Sequence, residues 1–334
     1  MGTEQHGLTR RRLLTTAGAA TAGIVAAGLP AGPAAAAVND AHLLIGTLTS
    51  PPKLLHKLRR GSDEGWIPSP EWGDVYPVAR TPYPPVIVDV AAAMVGNELH
   101  TVSAQHREIA HAIRYDNGNW TQFSNVSGFG AGRIEPNRRV CAAGVAGALH
   151  VAVQTWDGVF HTIRNAANWL WTPLTRVPDW DRASFTDIAA AGGADGYFHL
   201  FALQGTQVLH RVRDPHTRIW SPPGSPGSAK GQSGKAIAAG RAGNEVHAAV
   251  QTDGGLSHVV RRLSGSWSAV NRLSTYAEVE DVGAAGTPNG EFQVTTVGIG
   301  SARSVWHRVR RAGESWTDPV SLGDVVATRV AMAG

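Results

Sequence analysis

The stretch that decides the fold is LHVAVQTWDGVFHTIRNAANWLW, residues 149–171. An apolar residue and His150 open one alternating segment, Asp157-Gly158 marks a turn, and His161-Thr162-Ile163-Arg164 lies in the next segment, before Trp171 ends the unit. Alternating β-forming residues on both sides of an Asp-Gly turn are typical of a β-hairpin. The stretch therefore predicts two antiparallel strands, followed by an outer strand that starts near the tryptophan.

The same unit recurs along the chain with a period of roughly 45 to 55 residues. The motif His-x-[Leu/Ile/Val]-Arg begins at His56, His111, His161, His210, His258 and His307, and a tryptophan ends each unit at Trp66, Trp120, Trp171, Trp220, Trp267 and Trp316. Five units open with an Ala-rich apolar run such as Val140-Cys141-Ala142-Ala143. Each unit holds about four strands, as a propeller blade does. The sequence predicts an all-β fold, a six-bladed β-propeller with four antiparallel strands per blade.

The two chain ends supply the missing part of one unit. The first unit starts at Ala41-His42-Leu43, which corresponds to the second strand of the others, and a matching opening strand stands at the C-terminus as Val330-Ala331-Met332-Ala333-Gly334. Closure of the ring by pairing these ends removes the exposed sheet edges that an open array would leave. We therefore expect the C-terminal strand to complete the N-terminal blade.

Residues 1–37 are predicted to be an export signal rather than part of the fold. Thr9 and Arg10-Arg11-Arg12 precede an apolar Gly/Ala-rich stretch, and Ala35-Ala36-Ala37 is a typical cleavage site. Thr9 and the consecutive arginines resemble a twin-arginine signal, with an ordinary secretory signal or an uncleaved anchor as alternatives. The expected mature protein is one propeller domain, residues 38–334, which is secreted and extracellular and has no transmembrane span.

Charge and cysteine content narrow the function. Without residues 1–37, which hold three of the 30 basic and one of the 26 acidic residues, the net charge is +2. So small a charge gives no electrostatic case for nucleic-acid binding. Cys141 is the only cysteine and lies in an apolar run, so we interpret it as a small buried hydrophobic residue.

The repeated polar residues each allow two interpretations. Eleven of the 13 histidines after residue 37 stand at two repeat positions, and their distribution around a ring favours hydrogen bonds to neighbouring backbone or to the next blade over a metal site. The arginines of the motif either tie blades together or offer planar donors to a ligand. The tryptophans that end the units either pack between blades or form platforms on which a sugar ring stacks. Trp72, Trp156, Trp169, Trp180 and Trp306 lie off the repeat frame, and Trp156 at a hairpin tip is expected to be exposed.

Motifs of enzymes are missing from the sequence. It contains no His-Glu-x-x-His, no Gly-x-Ser-x-Gly, no phosphate-binding glycine loop and no Cys/His zinc spacing. The Asp-Gly turns lack the Ser-x-Asp-x-Gly-x-x-Trp boxes of six-bladed sialidases. A glycosidase needs two carboxylates at a defined separation, and the sequence leaves open whether any two, such as Glu98 and Glu108, converge.

The repeat resembles those of secreted propeller lectins of the tectonin/tachylectin-like and fucose-binding groups, most clearly at Leu149–Trp171 and Val246–Trp267. The resemblance extends over residues 38–334. In those families sugars lie between adjacent blades, held by an aromatic platform, an arginine and an acidic or amide side chain. The resemblance therefore implies Trp120, Trp171, Trp220, Trp267 and Trp316 as platforms and Arg114, Arg164, Arg213, Arg261 and Arg310 as hydroxyl donors. We find no acidic residue repeated at one frame position, as the fucose-binding group would require.

The sequence thus predicts a non-catalytic, carbohydrate-binding protein with several equivalent sites between blades, and Trp156 as a further contact. It predicts no catalytic residues, metal or cofactor, and glycans or a cell-envelope protein as partners. A protein-interaction scaffold would have those side chains buried and one apolar face exposed. A hydrolase or lyase at the central channel would bring two carboxylates together at one channel end.

Overall fold

A computed structural model describes residues 40–47, 53–61, 65–67, 73–75, 87–105, 108–126, 139–181, 185–228, 233–273, 279–299, 303–313 and 315–334. The predicted export signal and Trp72 lie outside these residues. The strands are β1 (Ala41–Thr47), β2 (Leu54–Arg59), β3 (Trp66–Ile67), β4 (Gly73–Val75), β5 (Asp89–Val95), β6 (Glu98–Ala104), β7 (Ile109–Arg114), β8 (Ser124–Asn125), β9 (Val140–Val145), β10 (Ala148–Thr155), β11 (Gly158–Arg164), β12 (Thr175–Asp181), β13 (Asp187–Gly192), β14 (Phe198–Gln204), β15 (Gln207–Arg213), β16 (Gly224–Ser228), β17 (Gly234–Ala242), β18 (Glu245–Thr252), β19 (Gly255–Arg261), β20 (Asn271–Arg272), β21 (Val279–Gly286), β22 (Phe292–Gly298), β23 (Ser304–Arg310), β24 (Val320–Asp324) and β25 (Ala327–Ala333).

Six antiparallel sheets confirm the predicted six-bladed propeller. Blade 2 contains β5–β8, blade 3 β9–β12, blade 4 β13–β16, blade 5 β17–β20 and blade 6 β21–β24, with the strands of each blade running in sequence order from the centre outward. Blade 1 has the order β25-β1-β2-β3, with β4 also paired to β2. We call the contact between successive blades a junction, so that junction 2–3 joins blades 2 and 3.

Strand β25 closes the ring as expected. It pairs antiparallel with β1, with His42 opposite Ala333 and Ile45 opposite Val330. In blade 2, His100 stands opposite Ala93 in the same way. The two ends of the chain therefore build one blade, and β1 is not left as an open inner edge.

Small residues let the inner strands approach one another at the centre. A Cβ atom added to Gly240 of β17 would lie 2.7 Å from the backbone nitrogen of Gly286 in β21. Between the blades, apolar side chains from facing sheets form separate clusters, such as Ala91, Val102, Val140 and Val151 at junction 2–3. Cys141 is buried in the cluster at junction 3–4, in agreement with its interpretation as a packing residue.

The described residues include no helix that is long and apolar enough to cross a membrane.

Candidate functional site at the blade junctions

The repeated histidines form buried pairs within single blades. In blades 1 to 5, Nδ1 of the second-strand histidine lies 2.9–3.1 Å from Nε2 of the third-strand histidine; the pairs are His42–His56, His100–His111, His150–His161, His199–His210 and His247–His258. In blade 6 the partner of His307 is the Gln293 Oε1 atom, at 3.0 Å. The expectation that these histidines bond to backbone or to the next blade was wrong. The two strands are neighbours in the sheet, and the two histidines stand on the same face close enough to bond to each other.

Each repeat tryptophan packs edge-on against the histidine pair of the preceding blade. Ring centroids of the tryptophan and the third-strand histidine are 5.0–5.6 Å apart and nearly perpendicular; the pairs are Trp120–His56, Trp171–His111, Trp220–His161, Trp267–His210, Trp316–His258 and Trp66–His307. The tryptophans are half-buried. They therefore pack between blades, the first of the two interpretations, and part of each indole still reaches the surface.

Burial keeps these histidines neutral. Desolvation is the largest cause of a lowered pKa at every one, to about 4 at His100 and about 3 at His150, for example. The motif arginine of the next blade adds a smaller shift in the same direction: Arg164 at His100 and Arg213 at His150. These arginines therefore lie beside the histidine pair of the preceding blade, at the same place as the tryptophan.

An acidic residue recurs two positions before the second-strand histidine. The residues at this position are Asp40, Glu98, Ala148, Tyr197, Glu245 and Glu291 in blades 1 to 6. Four of these six residues are acidic, so the interpretation that no acidic residue repeats at one frame position was wrong. The position precedes the apolar residue of the motif, and alignment of the six second strands would have found it.

The six junctions are not equivalent. At junction 6–1, Arg59 Nη1 lies 3.5 Å from Glu291 Oε2 and both side chains are about nine-tenths buried. The arginine and the carboxylate at this junction therefore form an ion pair with each other. At junction 5–6, Arg310 is buried. The corresponding arginines at the other four junctions, Arg114, Arg164, Arg213 and Arg261, are half-buried.

Junction 2–3 combines unpaired polar atoms with an exposed aromatic ring. Glu98 Oε2, His100 Nε2 and Arg164 Nη1 are buried and have no hydrogen-bond partner among the described residues; Glu98 Oε2 and His100 Nε2 are 3.5 Å apart. Burial lowers the pKa of Arg164, and the Glu98 carboxylate opposes this shift. The Arg164 guanidinium lies 4.6 Å from the ring centroid of Trp169, a residue that is 47% exposed.

A strained turn places Trp169 in this position. Its φ of 59° is in the left-handed region, which is uncommon for a bulky residue, and its backbone N–H donates to the Asn165 carbonyl at 2.8 Å. The segment between Arg164 and Trp171 is one residue longer than that between Arg114 and Trp120. The extra residue in this turn was the feature of the sequence that could have indicated a different backbone conformation at Trp169.

Trp156 is 64% exposed, as expected, but it is not part of this arrangement. It follows Thr155 at the β10–β11 turn, whereas Leu149 and Arg164 are paired at the other end of the same hairpin. Of the remaining off-frame tryptophans, Trp180 is buried against Phe185 and Trp306 is 41% exposed. The structure does not bring Trp156 together with the candidate arginines.

The opposite end of the inner strands holds a charged cluster. Asp89, Asp187 and Asp281 of alternate blades accept hydrogen bonds from backbone N–H groups of the next blade, at 2.8–2.9 Å. Arg139 lies 3.3 Å from Asp187 and 3.8 Å from Asp89, and Arg329 lies 3.7 Å from Asp89. Burial is the main cause that raises the pKa of Asp89 to about 6 and of Asp281 to about 7.

Asp89 and Asp187 thus lie close together, held by Arg139, whereas Glu98 and Glu108, for which the sequence left convergence open, do not. Glu98 is the first residue of β6 and Glu108 precedes β7, so the two lie at opposite ends of the β6–β7 hairpin. At the end of the channel that carries the β5–β6 turn, a cavity of about 350 Å³ is lined mainly by Ala and Gly residues of the six inner strands, with Asp40 and Arg241 also in its wall. Within the described residues, no group of three His, Cys, Asp or Glu side chains is arranged to hold a metal ion.

Comparisons with known proteins support the fold. The SapL1 lectin, solved with α-methyl fucoside, is 13% identical over 87% of this chain and 98% of its own, with a TM-score of 0.52. The fucose-recognising lectin of Aleuria aurantia is 14% identical over 86% of this chain and 96% of its own, and its TM-score is also 0.52. An α-L-arabinanase of Penicillium chrysogenum, solved with arabinobiose, is 13% identical over 81% of this chain and 94% of its own, with a TM-score of 0.54. No family model and no curated protein matches the sequence.

Proposed function

We propose that this protein binds carbohydrate without altering it, and that junction 2–3 is its principal site. The observation that carries the proposal is that Glu98 Oε2, His100 Nε2 and Arg164 Nη1, all buried at one junction, have no hydrogen-bond partners among the described residues. Glu98 Oε2 lies 3.5 Å from His100 Nε2, and Arg164 is close enough to lower the pKa of His100. An unpaired buried polar atom costs about 1–3 kcal/mol. Three such atoms at one place are therefore best explained by a polar ligand that completes their hydrogen bonds.

The chemistry of these three groups suits sugar hydroxyls. A hydroxyl both donates and accepts hydrogen bonds, so neighbouring hydroxyls can donate to Glu98 and accept from Arg164. The exposed ring of Trp169 offers an apolar surface for the C–H face of a pyranose. Neutral His100 can take either role, because burial and Arg164 lower its pKa to about 4.

The fold likeness adds support of a different kind. The SapL1 and Aleuria aurantia proteins are propellers that recognise fucose, so a scaffold of this shape can present a monosaccharide site. We propose methyl α-L-fucoside as the first ligand to try. Further junctions with half-buried arginines would add weaker sites, and several weak sites on one ring raise the avidity for a glycan-dense surface.

A glycan array followed by calorimetric titration of the best glycan tests the proposal. We expect Glu98→Gln and Trp169→Ala to weaken binding about fivefold or more, since each removes a hydrogen bond or a stacking contact worth about 1 kcal/mol or more. Trp156→Ala is the matched control, an exposed tryptophan at the other end of a hairpin, and should leave binding unchanged. A folded sample that binds no glycan would overturn the proposal and favour a protein-interaction scaffold.

A hydrolase acting at the channel is the second candidate, because three carboxylates surround its far end and an arabinanase shares the fold. The contacts of these carboxylates argue against it: each accepts a backbone N–H, and Asp89 and Asp187 also face Arg139. Through these hydrogen bonds and ion pairs the three carboxylates already connect neighbouring blades. Release of reducing sugar from arabinan, abolished in Asp281→Asn but kept in Glu98→Gln, would establish the hydrolase instead.

We also propose that the protein acts outside the cytoplasm, on the evidence of Arg10-Arg11-Arg12 and the apolar stretch that follows. Fractionation of producing cells tests this. We expect the shorter, processed chain outside the membrane, and retention inside when the arginines are replaced by lysine.

A further inference from the structure

Junction 3–4 carries a net positive charge, whereas junction 2–3 combines an arginine with a carboxylate. Blade 4 contributes Arg213 and Trp220, and blade 3 contributes the pair His150–His161. Blade 3 has Ala148 at the position where four other blades have Asp or Glu. The carboxylate that faces Arg164 at junction 2–3 therefore has no counterpart facing Arg213.

The turn of blade 4 then adds a second positive charge. Arg218 has a φ of 61° and its N–H donates to the Asp214 carbonyl at 3.0 Å. These are the features of Trp169 in blade 3, where φ is 59° and the N–H donates to the Asn165 carbonyl. The same strained position thus places an aromatic ring beside one motif arginine and a guanidinium beside the next. Burial lowers the pKa of Arg213, and the nearby Arg218 lowers it further.

No described carboxylate neutralises these two arginines. Asp214 lies in the turn that follows β15. Its carboxylate accepts the N–H groups of His216 and Thr217 and the Tyr197 hydroxyl. Asp179 instead lies 3.3 Å from Arg211. Neither Arg213 nor Arg218 forms an ion pair within the described part of the chain, and the two histidines beside them are neutral.

We propose that junction 3–4 binds an acidic sugar, with Arg213 and Arg218 holding its negatively charged group and Trp220 and the exposed Ile219 beside the ring. This rests on the proposed function, since it assigns a ligand class to one of the same junctions. Guanidinium groups bind two oxygens of a carboxylate or of a tetrahedral oxyanion such as sulfate through paired N–H donors. An anion also relieves the repulsion between the two arginines. A uronic acid and a sulfated sugar present this same chemistry.

Calorimetric titration of the purified protein with four probes tests the inference: methyl β-D-glucuronide, glucose 6-sulfate, uncharged methyl β-D-glucoside and sodium sulfate. We expect the glucuronide or the sulfated sugar to bind at least about tenfold more tightly than the glucoside, because charge-assisted hydrogen bonds are the stronger ones. Their affinity should fall with added salt. Tighter binding of the glucuronide would identify the anionic group as a carboxylate, and tighter binding of glucose 6-sulfate would identify it as a sulfate.

Arg218→Asn is the decisive variant, because asparagine tolerates the left-handed conformation while the charge is lost. It should weaken binding of the acidic sugar at least about tenfold. Arg262→Asn, an exposed arginine of blade 5 that follows its motif arginine, is the matched control and should change nothing.

The outcomes separate this inference from the proposed function. If neutral fucoside binds at Trp169 but acidic and neutral sugars bind alike and Arg218→Asn has no effect, this inference fails and the proposed function stands. If no sugar binds, the proposed function fails. Sulfate alone binding as tightly as glucose 6-sulfate would show a plain anion site and would also overturn the inference.

Discussion

Acidification should unfold this protein abruptly, because eleven histidines are buried in their neutral form. Burial lowers the pKa of all eleven, to about 3 at His42, His150, His247, His258 and His307, to about 4 at His100 and His199, to about 2 at His111, and well below the usual value at His56, His161 and His210. An unfolded histidine has a pKa of about 6.5. The unfolded state therefore takes up more protons below pH 6.5, and stability is lost as the pH falls from there toward the folded-state values.

The magnitude follows from the proton balance. Between pH 7 and 5.5, each histidine with such a lowered pKa costs about 1 kcal/mol of folding free energy, so eleven of them cost on the order of 10–15 kcal/mol. The buried carboxylates act in the opposite direction: the raised pKa values of Asp89 and Asp281, about 6 and about 7, stabilise the fold as the pH falls, by about 2–3 kcal/mol together. The net loss of about 10 kcal/mol equals the whole stability of a typical domain.

Far-UV circular dichroism and tryptophan emission at equilibrium, measured from pH 8 to pH 3, provide the assay. We expect one cooperative transition between about pH 5 and 6, with steep uptake of protons. His247→Gln copies the Gln293–His307 arrangement of blade 6 and should make the transition shallower by about one proton. His216→Gln replaces an exposed histidine outside the pairs and should leave the steepness of the transition unchanged. A native spectrum retained at pH 4 would refute the reasoning.

Three further predictions concern the scaffold. Gly240→Ala should lower stability by about 1–3 kcal/mol, because its Cβ would meet the Gly286 backbone nitrogen, whereas Gly65→Ala, which meets nothing within 4 Å, should not; urea unfolding measures both. Deleting residues 329–334 should lower the melting temperature and cause aggregation, since it exposes the inner edge of β1; light scattering equal to that of the intact protein would contradict this. Cys141 should not react with a thiol reagent until urea unfolds the chain, because burial raises the pKa of its thiol; rapid labelling of the native protein would show that junction 3–4 opens.

The fold could be predicted from the sequence because the repeat and the split blade are both visible in it. The motif His-x-[Leu/Ile/Val]-Arg gave the number of blades, and Val330–Gly334 gave the closure. Both depend on spacing along one chain, which a sequence records directly.

The site was only partly predictable, because it combines residues from different blades. The structure places the motif arginines and tryptophans together at the junctions, and their ligand-binding role stays a prediction. The place of Glu98 beside Arg164 was missed, because the same position carries Ala148 or Tyr197 in two blades. The different roles of Trp169 and Arg218 depend on one strained backbone conformation in two longer turns. The pairing of Arg59 with Glu291, from the two ends of the chain, required the closed ring.

A crystal structure of the protein with the best glycan from the array tests the assignment of the site most directly. We expect the sugar at junction 2–3, with hydroxyls within hydrogen-bond distance of Glu98 Oε2, His100 Nε2 and Arg164 Nη1 and with its ring against Trp169. A sugar found in the channel or against Trp156, with those three atoms still unpaired, would contradict it.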